Sequence, residues 1–185
     1  MTEFALVLPP FTLSTSLRGA TIGDIVLVHH KDFASDAIDE GQRLLALTEP
    51  SLADFTWVTH TAYVRSAGVD PTLSEMGFEG YRRVPASNYE SVPHMVVHFE
   101  FTDEQRAATR ANDDAMSGVS YGWAQYVPLI LDGLTDAKFE GSWGSSIICS
   151  THVTLALMGG GLFPDRPPSL VVPARIASWV GARLV

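Results

Sequence analysis

One stretch constrains the fold of this chain more than any other: Ser145-Ser-Ile-Ile-Cys149-Ser-Thr-His-Val-Thr-Leu-Ala-Leu-Met-Gly-Gly-Gly161, which holds its only cysteine. The run follows the glycine-spaced Gly141-Ser-Trp-Gly144 and closes in three glycines, so it predicts a single capped helix. Small polar residues at the start can accept the free N–H groups of the first turn, and glycine supplies a left-handed stop. Cys149 falls in the first turn, where the partial positive charge of the helix end favours a thiolate over a thiol. The same residue shares an apolar face with Val153, Ala156 and Leu157, and free cysteine is among the most buried residue types. From this helix alone, a core cysteine and an activated nucleophile are both open.

A chain of 185 residues is long enough to bury roughly 70% of the surface it exposes when unfolded, and predicts one domain. Its core is expected over about 22–160, with the tail 161–185 packing back. The net charge of −9 argues against a nucleic-acid backbone or an anionic membrane as the main partner. A single cysteine excludes an internal disulfide framework and a Cys-rich zinc site. Met1 to Pro10 has no basic region and only a short apolar run, so it does not read as a secretion signal. No stretch approaches the ~20 apolar residues of a membrane span. A cytoplasmic protein is the default expectation; release by lysis or carriage in a virion would leave no signal either.

Residues 1–20 show no clear period. Ile25-Val-Leu-Val28 is a β-branched run that predicts a buried strand, with His29-His30 as polarity at its end. A helix is expected from Ser35 to Leu47, stopped by Pro50. Thr56 to Arg65 predicts a second strand with Val58, His60, Ala62 and Val64 on one face; Thr72 to Met76 predicts a third; residues 77–93 read as irregular. His94 to Phe101 predicts a fourth strand. His94, His98 and Glu100 share its face, but four residues along a strand span roughly 13 Å, too far for one metal ion. Thr102-Asp-Glu-Gln105 is a capping box opening a helix to about Ser117. Further helices are expected over Tyr121–Asp132 and over Pro173–Arg183, the second burying Ile176, Trp179 and Val180. Strands gathered first and helices later predict an α+β fold with an antiparallel sheet.

A thiolate nucleophile needs an imidazole to exchange its proton, and the imidazole needs a polar group to fix its tautomer. The chain offers His60, Glu75 and Cys149 in that order. Whether Glu75 faces His60 depends on the turn between the two strands. A two-residue turn at Ala67-Gly68 would set Glu75 directly opposite His60, whereas a turn at Val69-Asp70 would set Glu79 there. The better strand character of Thr72 to Met76 favours Glu75.

Gly23-Asp-Ile-Val-Leu-Val28, Thr59-His60-Thr-Ala-Tyr-Val64, Ser74-Glu75, and Ile148-Cys149-Ser150 before a glycine-terminated helix together resemble the circularly permuted papain-like amidases. These are permuted relatives of the NlpC-type cell-wall peptidases and, more distantly, of lecithin:retinol acyltransferase. The resemblance covers roughly residues 22–160, by short motifs and their order. It implies a small antiparallel sheet or barrel packed against the cysteine helix. Cys149 would be the nucleophile, His60 the general base and acid, and Glu75 the group orienting the imidazole. Tyr121 would stand near the pocket, and the N–H of Cys149 together with Ser150 would border the oxyanion. The family usually has an acidic residue soon after the Cys-Ser pair, whereas this chain has Thr151-His152.

The expected activity is therefore a cysteine hydrolase or acyltransferase. It would cleave a peptide amide, a cell-wall peptide or a lipid ester through an acyl-thioester, with no cofactor or metal. The alternative is a papain-like binding or structural module without activity. A serine hydrolase ranks below both, because Gly141-Ser-Trp-Gly-Ser145 does not form the Gly-x-Ser-x-Gly elbow.

Overall fold

The computed structural model describes residues 8–31, 33–122, 146–162, 168 and 171–182. It is an α+β arrangement built on a six-stranded antiparallel sheet. The strands are β1 (Phe11–Ser14), β2 (Ile25–Val28), β3 (His60–Val64), β4 (Thr72–Gly77), β5 (Gly80–Pro85) and β6 (His94–Phe99), in the spatial order β1-β6-β2-β3-β4-β5. Around it lie α1 (Phe33–Ala46), α2 (Asp103–Ala115), α3 (Cys149–Met158) and α4 (Pro173–Trp179), with a separate parallel pair of β7 (Ser120–Tyr121) and β8 (Ser146–Ile147). No helix among the described residues is long and apolar enough to cross a membrane.

β2 occupies the middle of the sheet, and all four of its residues are buried, as a continuous β-branched run requires. Strand alternation sends Ile25, Leu27 and Tyr63 to one face, where Val153 and Leu157 of α3 and Ile176 of α4 pack on them. Val26, Val28, Ala62 and Val64 go to the other face, covered by Leu17, Ala86 and Tyr89. The Thr102–Gln105 capping box closes in both directions at the head of α2. Gln42 on α1 donates to the carbonyls of Thr56 and Val58 and accepts from the N–H of Ala174, fastening α4 to the body.

Two strands stand where no strand is expected. β1 forms within the lead-in, and β5 lies within the segment read as irregular. Both are edge strands with largely exposed or half-exposed residues, so neither has the apolar alternation by which a strand is read. β4 and β5 are joined by a two-residue turn at Phe78-Glu79 between the paired glycines 77 and 80, and Gly80 has φ +97°. Glu79 is thus an exposed turn residue. The strand expected over 56–65 is shorter at its start, since a 3-10 turn occupies Pro50–Phe55.

The β3–β4 register follows neither expected turn. Ala62, not His60, pairs with Glu75, and Tyr63 pairs with Ser74. The connection is wider: Arg65 N–H and Ser66 N–H both donate to the Thr72 carbonyl, and the Ser66 hydroxyl accepts from Thr72 N–H. A shift of two residues keeps Glu75 on the His60 face, one diagonal step away.

α3 begins at Cys149, and its N-cap, Ile148, makes no side-chain capping hydrogen bond. The polar Ser145 expected to serve there lies outside the described residues, as do most of the helix expected over Tyr121–Asp132 and the Gly141–Gly144 run. Gly161 has φ +86° and supplies the left-handed stop, whereas Gly159 serves closeness: a Cβ there would lie 2.4 Å from the Ala108 carbonyl oxygen of α2. Gly159→Ala is expected to lower stability in chemical denaturation by about 1–3 kcal/mol through forced separation of α2 and α3. Gly161→Ala, which meets no atom within 4 Å, should cost only the smaller strain of its positive φ.

Candidate active site

His60 is the first residue of β3 and stands beyond the last β3–β4 pair, so its ring overhangs the end of the sheet. Its Nε2 lies 2.9 Å from Glu75 Oε2. The diagonal register makes this contact depend on the length of a glutamate side chain. With Nε2 committed to the carboxylate, the imidazole turns its other side to Cys149, to which it is hydrogen-bonded. The three residues of the sequence-based constellation therefore come together at the junction of β3, β4 and the head of α3.

Burial alone would hold His60 neutral. The hydrogen bond and the negative charge of Cys149, and then those of Glu75, outweigh it and raise the imidazole from 6.5 to about 10. Burial likewise opposes a charged Cys149, but the hydrogen bond and charge of His60, followed by contacts from Thr61, bring the thiol below its ordinary value. The Thr61 hydroxyl is buried without an oxygen or nitrogen partner, and the sulfur is the group it serves. Each group thus favours the charged form of the other, thiolate with imidazolium.

Glu75 is only 1% exposed and its charge is held by three donors. Arg82, its direct partner across β4 and β5, reaches Oε1 at 2.6 Å; Tyr89 gives its hydroxyl to Oε2, the oxygen that also meets His60. Burial pushes the carboxyl up, but His60 and then Arg82 bring it below its usual range. Tyr89 also stacks on the His60 ring with 14° between the planes, and His30 meets both rings at the end of β2. Arg82 and Tyr89 were beyond sequence reasoning because their segment has no readable periodicity. His30, expected to be mere strand-end polarity, instead lines the site. Its neighbour His29 is turned to the Trp57 carbonyl, as alternation dictates.

An open cleft of about 190 Å³ is bordered by His30, His60 and Arg82, whereas the buried Cys149 and Glu75 do not line it. Its lining also includes Ile38, Thr59, Met76, Phe78 and Tyr121. Tyr121 does line the cleft, but from strand β7 rather than from a helix, and it packs on Phe78 and Ile148. Burial, then the negative charge of Cys149, raises its phenol. Ser150 does not face the cleft with its side chain: its hydroxyl is fully buried and donates to the Val171 carbonyl at 2.6 Å. His94 and His98 hold the Val92 carbonyl and Asp24 respectively, away from this site. Among the described residues no group of three His, Cys, Asp or Glu side chains is placed to hold a metal ion.

The shifts fix the sign of the pH response. His60 is raised, so its charge contributes stability fully below about 6.5 and loses it as pH rises through about 10. Cys149 is lowered, so its contribution is full above the ordinary thiol value and is lost as pH falls through the lowered one. Alkylation of Cys149 by iodoacetamide is thus expected to stay fast below pH ~8.5, where an ordinary thiol slows, and His60→Ala should abolish that advantage. Tyr89→Phe should cost about 1–3 kcal/mol for a hydrogen bond to a charged acceptor, measured by denaturation. It should also move the acid limb of the alkylation profile upward, because Glu75 is then held less firmly. Compared with models of known protein families and with curated proteins, the chain matches none, and what the site does is read from its geometry and chemistry.

Proposed function

We propose that this protein is a cysteine-dependent hydrolase or acyltransferase that cleaves an amide or ester through an acyl-thioester on Cys149. The observation that carries this reading is the placement of Cys149 at a helix start, with His60 between it and a buried Glu75. The thiolate attacks the carbonyl carbon, and the oxyanion forms at the positive end of α3, where first-turn N–H groups are available. The His60 imidazolium then gives its proton to the leaving amine or alcohol. In the second half, neutral His60 takes a proton from water or from an acceptor hydroxyl or amine, whose attack releases the acyl group and restores the ion pair. Glu75 keeps the ring in one tautomer and supports its charge.

The order of elements, with sheet and histidine before the cysteine helix, supports a permuted papain-like arrangement. Peptide amides, cell-wall peptides among them, and lipid acyl groups are the substrate classes that this likeness suggests. The small cleft, with Ile38, Met76 and Phe78 beside His60 and Arg82 in its lining, suits a short acyl group beside a polar amide.

An electrophilic probe such as a vinyl sulfone should label Cys149 in native protein and not in denatured protein. A panel of muropeptides, acyl amides and lipids, followed by product mass, gives the substrate. Cys149→Ala should abolish turnover and leave melting temperature nearly unchanged; loss of folding instead would mark the cysteine as structural. Glu75→Gln should lower turnover by a factor on the order of 10–10⁴. Because the His60 contact is diagonal, Glu75→Asp should lose activity nearly as far, although it keeps the charge.

A further inference from the structure

We propose that Asp113, on α2, is a positioning residue for the site: one buried carboxylate that holds β3, β4 and α3 in mutual alignment. The inference rests on the roles given above to His60, Glu75 and Cys149, which those three elements carry. Asp113 is fully buried, and each of its oxygens accepts two hydrogen bonds. Oδ1 takes the Ser74 hydroxyl at 2.5 Å and His152 Nε2 at 2.9 Å. Oδ2 takes Arg65 Nη1 at 2.5 Å and the Tyr81 hydroxyl at 3.0 Å.

The sequence positions of these donors give the cluster its meaning. Ser74 immediately precedes Glu75 on β4, His152 lies three residues beyond Cys149 on α3, and Arg65 follows the last residue of β3. A single carboxylate thus receives a donor from the element behind each member of the triad, and Tyr81 adds the edge strand β5. His152 is fully buried, its Nδ1 has no hydrogen-bond partner among the described residues, and the Tyr81 ring meets it edge-on at 5.7 Å. Among the described residues Asp113 is therefore the one hydrogen-bond partner of its ring.

Stability alone does not call for such a cluster, since apolar residues of similar volume serve a buried site as well or better. What a fully satisfied polar network adds is a unique geometry. Catalytic alignment needs that, because small displacements of reacting groups cost large factors in rate. Asp24 offers the contrast within the same chain. It is as deeply buried, but its side chain accepts from Thr21, the His98 ring and the Phe99 N–H, none of which neighbours His60, Glu75 or Cys149.

The test compares full-length variants by two readouts besides melting temperature: the pH profile of Cys149 alkylation by iodoacetamide, and the ¹⁵N chemical shifts of the His60 ring. Ser74→Ala and His152→Leu each remove one donor to Asp113 and should raise the acid limb of the alkylation profile by about one pH unit. That is about a tenfold loss of rate well below the limb. Both should also shift the His60 ring signals. His152→Gln keeps an N–H for Asp113 and should return the profile toward wild type. Asp24→Asn should lower melting temperature without moving either readout. The proposal is overturned if Ser74→Ala and His152→Leu leave both readouts unmoved, or if Asp24→Asn moves them equally. Inert Cys149 in wild type, with His60 signals that still shift in the two variants, would remove the hydrolase reading and retain the clamp.

Discussion

A carboxylate almost wholly removed from water is the constraint on which this structure turns. An unpaired charge buried like Glu75 would be severely destabilising, and the protein would protonate it instead. Here the charge is retained because Arg82, Tyr89 and His60 each donate to it. Those donors come from β5, from the turn after β5, and from the start of β3. The sheet edge, its flanking turn and the tilt of the His60 ring are therefore tied to one side chain. The same carboxylate adds to Cys149 in favouring a charged His60, and Arg82 joins them at the end of the sheet. Burial opposes charge on both the imidazole and the thiol, and the charged imidazole is favoured first by Cys149 and then by Glu75.

The sheet supplies the rigidity that this charge cluster requires. β2, β3 and β4 are covered on both faces, and α3 lies against β3 and β4 with its N-terminus at the strand ends. The apolar face of α3 and its positive end coincide at position 149, where the cysteine is 1% exposed. A core position and a helix-end position are thus compatible at one residue, burial serving to strengthen the electrostatics around it.

The parts of the fold most legible in the sequence are those whose chemistry is local. The β-branched run at 25–28, the Thr102 capping box and the glycine-terminated helix at 149 each state their structure within a few residues. β1 and β5 do not, because edge strands with exposed residues lack an apolar period, and Gly77 and Gly80 read as breakers although they frame a tight hairpin. The register of β3 and β4 was also beyond turn chemistry: a loop from Arg65 to Thr72, closed by the Ser66 side chain, sets it. Glu75 could still be picked as the partner of His60, since a two-residue shift preserves the strand face. Tyr89, Arg82 and Asp113 carry no motif, and only the folded chain brings them to the cluster. Nor does His152 announce its bond to Asp113 in the sequence.

The central claim is that Cys149 and His60 form an ion pair at neutral pH. The ultraviolet absorbance of a thiolate, taken as the difference between wild type and Cys149→Ala across a pH titration, measures it directly. The account predicts thiolate absorbance already present at pH ~7, and its disappearance at that pH in His60→Ala. A difference spectrum that appears only as pH passes about 8.5, the value of an ordinary thiol, would contradict it.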